Sequence, residues 1–100
     1  MKQSEAIALA KAVRPTDLTD DILSRFLSEI EGRVEIELHG KPDFEDRGLL
    51  SLPFPFCKIY WLHIVRMMDF AQGDAARYRE SSALFEGAWQ EYANYCRQKS

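Results

Sequence analysis

The residues able to do chemistry are two histidines, His39 and His63, two cysteines, Cys57 and Cys96, and a run of carboxylates from Asp20 to Asp46. Asp20 and Asp21 would suit general acid–base work only if they converged, and neighbours on a helix diverge by about 100°. They read as a solvated, acidic helix start. Glu29, Glu31, Glu35 and Glu37 contain an i, i+4 pair, Glu31/Glu35. A di-metal bundle also needs Glu-x-x-His motifs on facing helices, and the sequence has none. His39 stands beside Gly40 at a helix end, where an imidazole satisfies terminal carbonyls. His63 falls on an apolar helix face and reads as a hydrogen-bonded core residue. Neither cysteine has a CxxC or Cys/His ligand spacing, and no GxSxG or glycine-rich phosphate loop occurs. The sequence therefore points away from an enzyme: no catalytic residues, no metal ligands and no cofactor site are expected.

The elements that would have to position such residues are those of one domain. The chain has 100 residues, 46% hydrophobic and 29% charged, with Gly 5 and Pro 4. That is enough apolar matter for a core and too few turn formers for a multi-stranded sheet. The formal charge is −3, and it is uneven. Between Asp20 and Asp46 nine acids face three bases. A phosphate backbone needs a basic face, so sequence-specific nucleic-acid binding is not expected, while a basic protein surface is compatible. The apolar run Ile59 to Phe70 is interrupted by His63, Arg66 and Asp69 and is too short to cross a bilayer. No signal peptide is expected, because the opening apolar run ends at Lys11. The cysteines are expected reduced, in an intracellular compartment.

The spacing predicts an all-α fold, a small bundle of three to four helices with a long C-terminal helical hairpin. Helices are expected at about 4–13, 19–38, 55–72 and 74–98, with a loop at 40–53. Ser4 is a candidate cap and Pro15 ends the first helix. In the second, Ile22, Phe26, Ile30, Val34 and Leu38 recur every four residues, with Leu23 and Leu27 widening the stripe and acids on the other side. Val34 to Leu38 also alternates with period two, but continuation of the stripe favours helix. Pro55 suits the first turn of the third helix, whose wet strip is Lys58, Arg66 and Asp69. Gln72-Gly73-Asp74 marks a break, after which an aromatic-rich stripe from Tyr78 to Cys96 defines the fourth helix. So many rings after residue 53 exceed what one hairpin needs, and some are expected to face another copy or a partner. The candidate interaction residues are Phe44, Leu49 and Leu50 in the loop and Trp61, Trp89 and Tyr92 on the hairpin.

The order of motifs supplies a further indication. An alanine-rich helix precedes Asp21-Ile22-Leu23-Ser24-Arg25-Phe26-Leu27-Ser28-Glu29-Ile30-Glu31-Gly32-Arg33. Then come Leu52-Pro53-Phe54-Pro55-Phe56-Cys57-Lys58-Ile59-Tyr60 and a long aromatic pattern from Met68 to Tyr95. From about Ser4 to Arg97 this resembles small head-tail connector-like proteins of tailed phages and prophages, the head-completion or adaptor proteins. The resemblance implies a non-enzymatic virion subunit, assembled in the bacterial cytoplasm as a homo-oligomeric ring on the portal and contacting tail or stopper proteins. It implies no active-site residues. An acidic lining formed by the Glu29 to Glu37 face would let packaged DNA slide. The rival expectation is a small cytoplasmic helical module for protein interaction or regulation.

Overall fold

A computed structural model describes residues 1–43 and 50–99, and these described residues form four α-helices: α1 (Gln3–Val13), α2 (Asp20–Arg33), α3 (Lys58–Ala71) and α4 (Ala75–Lys99). A π-helical turn, Val34–Leu38, extends α2. The all-α bundle and its C-terminal hairpin are as the spacing predicts. Phe44 and Leu49 lie outside the described residues.

α3 is the centre. Ile59, Tyr60, Leu62, His63, Ile64, Val65, Met68 and Asp69 are all buried, because α1, α2 and α4 each pack on it. α3 and α4 run antiparallel: Asp69 meets Ser81, His63 meets Phe85 and Lys58 meets Glu91 along their length. The joint is Gly73, at φ +73, a left-handed conformation that glycine adopts without the Cβ penalty. Asp74 then caps α4, its Oδ1 accepting from Arg77 N at 3.1 Å.

Several local readings change. α1 begins at Gln3 after Lys2, not at a Ser4 cap. Its inner face is Ala6 and Ala10, both fully buried, while Leu9 and Val13 are exposed. Small side chains let α1 lie close against α3. The inner stripe of α2 is Leu23, Leu27, Ile30 and Glu31, continued by Val34 and Glu35. Leu23, Leu27, Ile30 and Val34 are buried as the predicted stripe has them; Ile22 is exposed, Phe26 and Leu38 are partly buried, and the inner face centres on the Leu23/Leu27 edge with Glu31 and Glu35 beside it. Val34 to Leu38 is helical, as continuation of the stripe predicts, but as a π turn, with His39 N donating to Val34 O at 3.0 Å. The third helix starts at Lys58. Pro55 sits in the preceding turn, where the Phe54–Pro55 peptide is cis and Phe56 N donates to Pro53 O at 2.8 Å.

Asp69 corrects the wet strip of α3 most sharply. It is fully buried. Arg14, held in extended backbone ahead of Pro15, clamps it with Nε and a second guanidinium N–H at 2.8 and 3.1 Å. Ser81 Oγ donates to the same carboxylate at 2.8 Å. The ion pair raises the Arg14 pKa, chiefly through the Asp69 hydrogen bonds. One buried network thus ties α1, α3 and α4 together.

Candidate interaction surface

Two carboxylates one turn apart on the inner face of α2 and its π turn hold the segment between α2 and α3. Glu31 is only 4% exposed. Its Oε2 accepts from Ser51 N at 2.8 Å, and its Oε1 accepts from Ser51 Oγ at 2.9 Å and Tyr60 OH at 2.8 Å. Tyr60 OH in turn accepts from Leu52 N at 2.8 Å. Burial, followed by the nearby Glu31 charge, pushes the Tyr60 phenol up, so it stays protonated and donates. Glu35 pairs with Lys41 and His39, and Lys41 N donates to Glu35 O at 3.0 Å. Burial would raise the Glu35 carboxyl, but hydrogen bonds from Lys41, Ser51 and His39 outweigh it and hold the pKa at about 2. Glu31 and Glu35 therefore face inward, not to solvent as predicted, and clasp the two ends of the inter-helix segment.

His39 does not satisfy helix carbonyls. Its Nδ1 lies 2.7 Å from Glu35 Oε1 and its Nε2 2.6 Å from Tyr92 OH. Tyr92 packs edge-on to His39 and against Phe56 and Tyr95, with ring centroids 4.8–5.9 Å apart. Burial, then Cys96, pushes the Tyr92 phenol up, which keeps it a neutral hydrogen-bonding group rather than a nucleophile. His63 is a core residue, as expected. Arg66 Nε donates to its Nδ1 at 3.0 Å, which puts the ring proton on Nε2, 3.7 Å from Glu29 Oε1 and without a hydrogen bond. Burial, and then the Arg66 and Arg33 charges, hold its pKa at about 3. Among the described residues, no group of three or more His, Cys, Asp or Glu is placed to hold a metal ion. No helix there is long and apolar enough to cross a membrane.

The predicted interaction residues within the described part of the chain differ in exposure. Trp89 and Tyr92 are 7% and 4% exposed and belong to the core, Trp89 under the Arg33 guanidinium at 4.5 Å. A single chain offers neither as free surface. Trp61 and Leu50 are half-buried and packed on that core.

The large apolar side chains that do face solvent are others. Phe54 is 90% exposed, Phe70 64% and Leu84 63%. Phe54 projects from the turn before α3, just beyond the Glu31 clasp. Phe70 lies at the far end of α3, its ring tilted against that of Tyr78 with centroids 5.6 Å apart. There the elbow between α3 and α4 forms a cleft of about 280 Å³ lined by Asp69, Phe70, Gly73, Asp74, Ala75 and Tyr78. Phe54 sat in plain view in the motif Pro53-Phe54-Pro55-Phe56, but its alternation with buried Phe56 was the only signal that it points outward.

A scan against models of known protein families, and searches among curated proteins and among solved structures, found no match to this chain.

Proposed function

We propose that this chain is a structural subunit of a tailed-phage particle, an adaptor that assembles as a ring on the portal and joins head to tail in the virion. The observation that carries the reading is Phe54, 90% exposed in the turn before α3, directly after the Ser51 and Leu52 backbone that Glu31 and Tyr60 hold. An exposed ring on an anchored turn is costly in a lone chain and useful in an assembly, where aromatics supply contact area. The motif order from Ser4 to Arg97 supports the same reading by resemblance. The acidic face available to a channel is smaller than the sequence implied. Glu29 and Glu37 have half-exposed or more exposed side chains, whereas Glu31 and Glu35 are turned inward.

The test is reconstitution with a portal from the same phage, viewed by negative-stain microscopy. The reading expects added density as a ring on one end of the portal. It expects Leu50→Ser, and Ser at Phe44 and Leu49, to abolish that ring without loss of helicity. A chain that never joins the portal overturns it and leaves the smaller claim of a helical interaction module.

A further inference from the structure

We propose that Cys96 is a modification site, a reactive thiol that takes up one half of a low-molecular-weight disulfide, with Tyr92, His39 and Glu35 as the relay that accepts its proton. The four side chains form a line. Glu35, with its pKa held at about 2, is ionised and can only accept, so His39 Nδ1 carries a proton and donates to its Oε1 at 2.7 Å. In the neutral ring His39 Nε2 is then the accepting nitrogen, and Tyr92 OH donates to it at 2.6 Å. Cys96 stands one turn beyond Tyr92 on α4 and is hydrogen-bonded to the same hydroxyl. Nucleophile, base and orienting carboxylate are thus joined in order, with a phenol between the first two. Lys41 holds the other Glu35 oxygen, which fixes the carboxylate without occupying the atom that His39 uses.

The relay leaves each of its atoms with a partner before and after proton transfer. In the thiol form Cys96 Sγ donates to the Tyr92 oxygen, and Tyr92 OH donates to His39 Nε2. In the thiolate form the Tyr92 hydroxyl turns to the sulfur, and His39, now cationic beside Glu35, donates to the phenol oxygen. Tyr92 stays neutral in both, in keeping with its raised pKa. The thiolate then attacks one sulfur of the disulfide. The Cys96–sulfur bond forms, the disulfide bond breaks, and the departing thiolate takes the proton held by His39. One thiol and one disulfide become one mixed disulfide and one thiol, and no further oxidant is needed. Access is from a surface cleft of about 370 Å³ lined by Glu37, Leu38, Ala93, Cys96 and Arg97, which has room for a small molecule. Glu37 is paired there with Arg33, and Arg97 is bonded to Asn94. Lys99, over the Tyr95 ring, lies near enough for a negative sulfur to stabilise its ammonium. Cys57 is the internal contrast. It is half-buried like Cys96, but its Sγ donates to Leu52 O at 3.2 Å, and a carbonyl that can only accept favours the thiol.

The test is the rate of exchange with a dipyridyl disulfide, read by the absorbance of the thione it releases, on two single-cysteine chains, Cys57→Ser and Cys96→Ser. At about pH 7, Cys96 is expected to react at least about tenfold faster in the folded chain than in denaturant, and at least about tenfold faster than folded Cys57. Tyr92→Phe keeps the ring that packs on Phe56 and removes the hydroxyl, and His39→Gln removes the base. Each, added to Cys57→Ser, is expected to slow Cys96 about tenfold near neutral pH, and the gap is expected to close above about pH 9, where a thiol ionises unaided. A merely structural role would slow the reaction alike at every pH. Oxidised glutathione is expected to add one glutathione half to the wild-type chain, at Cys96, by intact mass and peptide mapping. The comparison of folded with denatured chain uses no relay variant, so it decides the matter even where circular dichroism shows that a relay variant has lost its helicity. Cys96 no faster folded than denatured, addition at Cys57 instead, or a pH profile that a folded Tyr92→Phe chain leaves unmoved would each overturn the proposal.

Discussion

At the residue scale, the buried ionisable groups set how the fold responds to acid and to truncation. His63 has the larger pH window. The unfolded chain takes up a proton near pH 6.5 that the folded chain refuses until about pH 3. Stability is therefore full above pH 6.5 and falls on acidification through that window, by about 1.4 kcal/mol per pH unit. Urea titrations between pH 6.5 and 4.5 should show this slope, and His63→Gln should flatten it. Glu35 acts lower and with the ordinary carboxylate sign: its contribution is present above about 4.5 and is lost as pH falls toward 2. The Arg14–Asp69 pair makes a separate prediction. Arg14→Met leaves a fully buried carboxylate without its cation and should cost about 3–5 kcal/mol in denaturant unfolding. Adding Asp69→Leu to that variant should recover part of the loss, because the uncompensated charge is then gone. A double variant no more stable than Arg14→Met would contradict this account of the pair.

At the scale of elements, the helices were legible and the polar residues buried on their inner faces were not. Apolar residues at spacings of three and four marked all four helices, and Gly73-Asp74 marked the hairpin joint. Gly73→Ala places a Cβ at φ +73 in otherwise open space, so it should cost about 1 kcal/mol through conformation alone. Thermal unfolding measures it. The inward acids escaped a local reading because their partners are distant in sequence. Arg14 and Asp69 are 55 residues apart, and Glu31 and Ser51 are 20 apart. A pattern that assigns every Glu to solvent then misses that the Leu23/Leu27 edge of the stripe continues onto Glu31 and Glu35. The aromatic surplus after residue 53 misled in the same way. Trp89 and Tyr92 fill the junction of α4 with Arg33, His39 and Phe56, groups that no periodicity within α4 reveals. The clasp can be probed directly. Glu31→Gln keeps the volume but weakens charge-assisted bonds from Ser51 and Tyr60, and should cost about 1–3 kcal/mol. Hydrogen exchange should quicken at the Ser51 and Leu52 amides before it quickens in α3.

At the scale of the whole molecule, the bundle measures 40 × 27 × 22 Å, with an exposed ring near one end of its central helix and an apolar cleft near the other. The buried networks join α1 to the hairpin and the inter-helix segment to α2, so the two ends are held in fixed relation. Fold class was within reach of the sequence because it follows from helix periodicity. The candidate surface was only partly within reach, because exposure depends on which of several apolar faces the neighbours cover. The central claim is that this surface serves assembly. The most direct test is the mass of the complex formed when the chain is mixed with portal rings, read by mass photometry. The account predicts a discrete step above the bare portal, corresponding to a whole ring of this chain and lost with Phe54→Ser. A portal mass unchanged at saturating chain, or an increase that Phe54→Ser leaves intact, would contradict it.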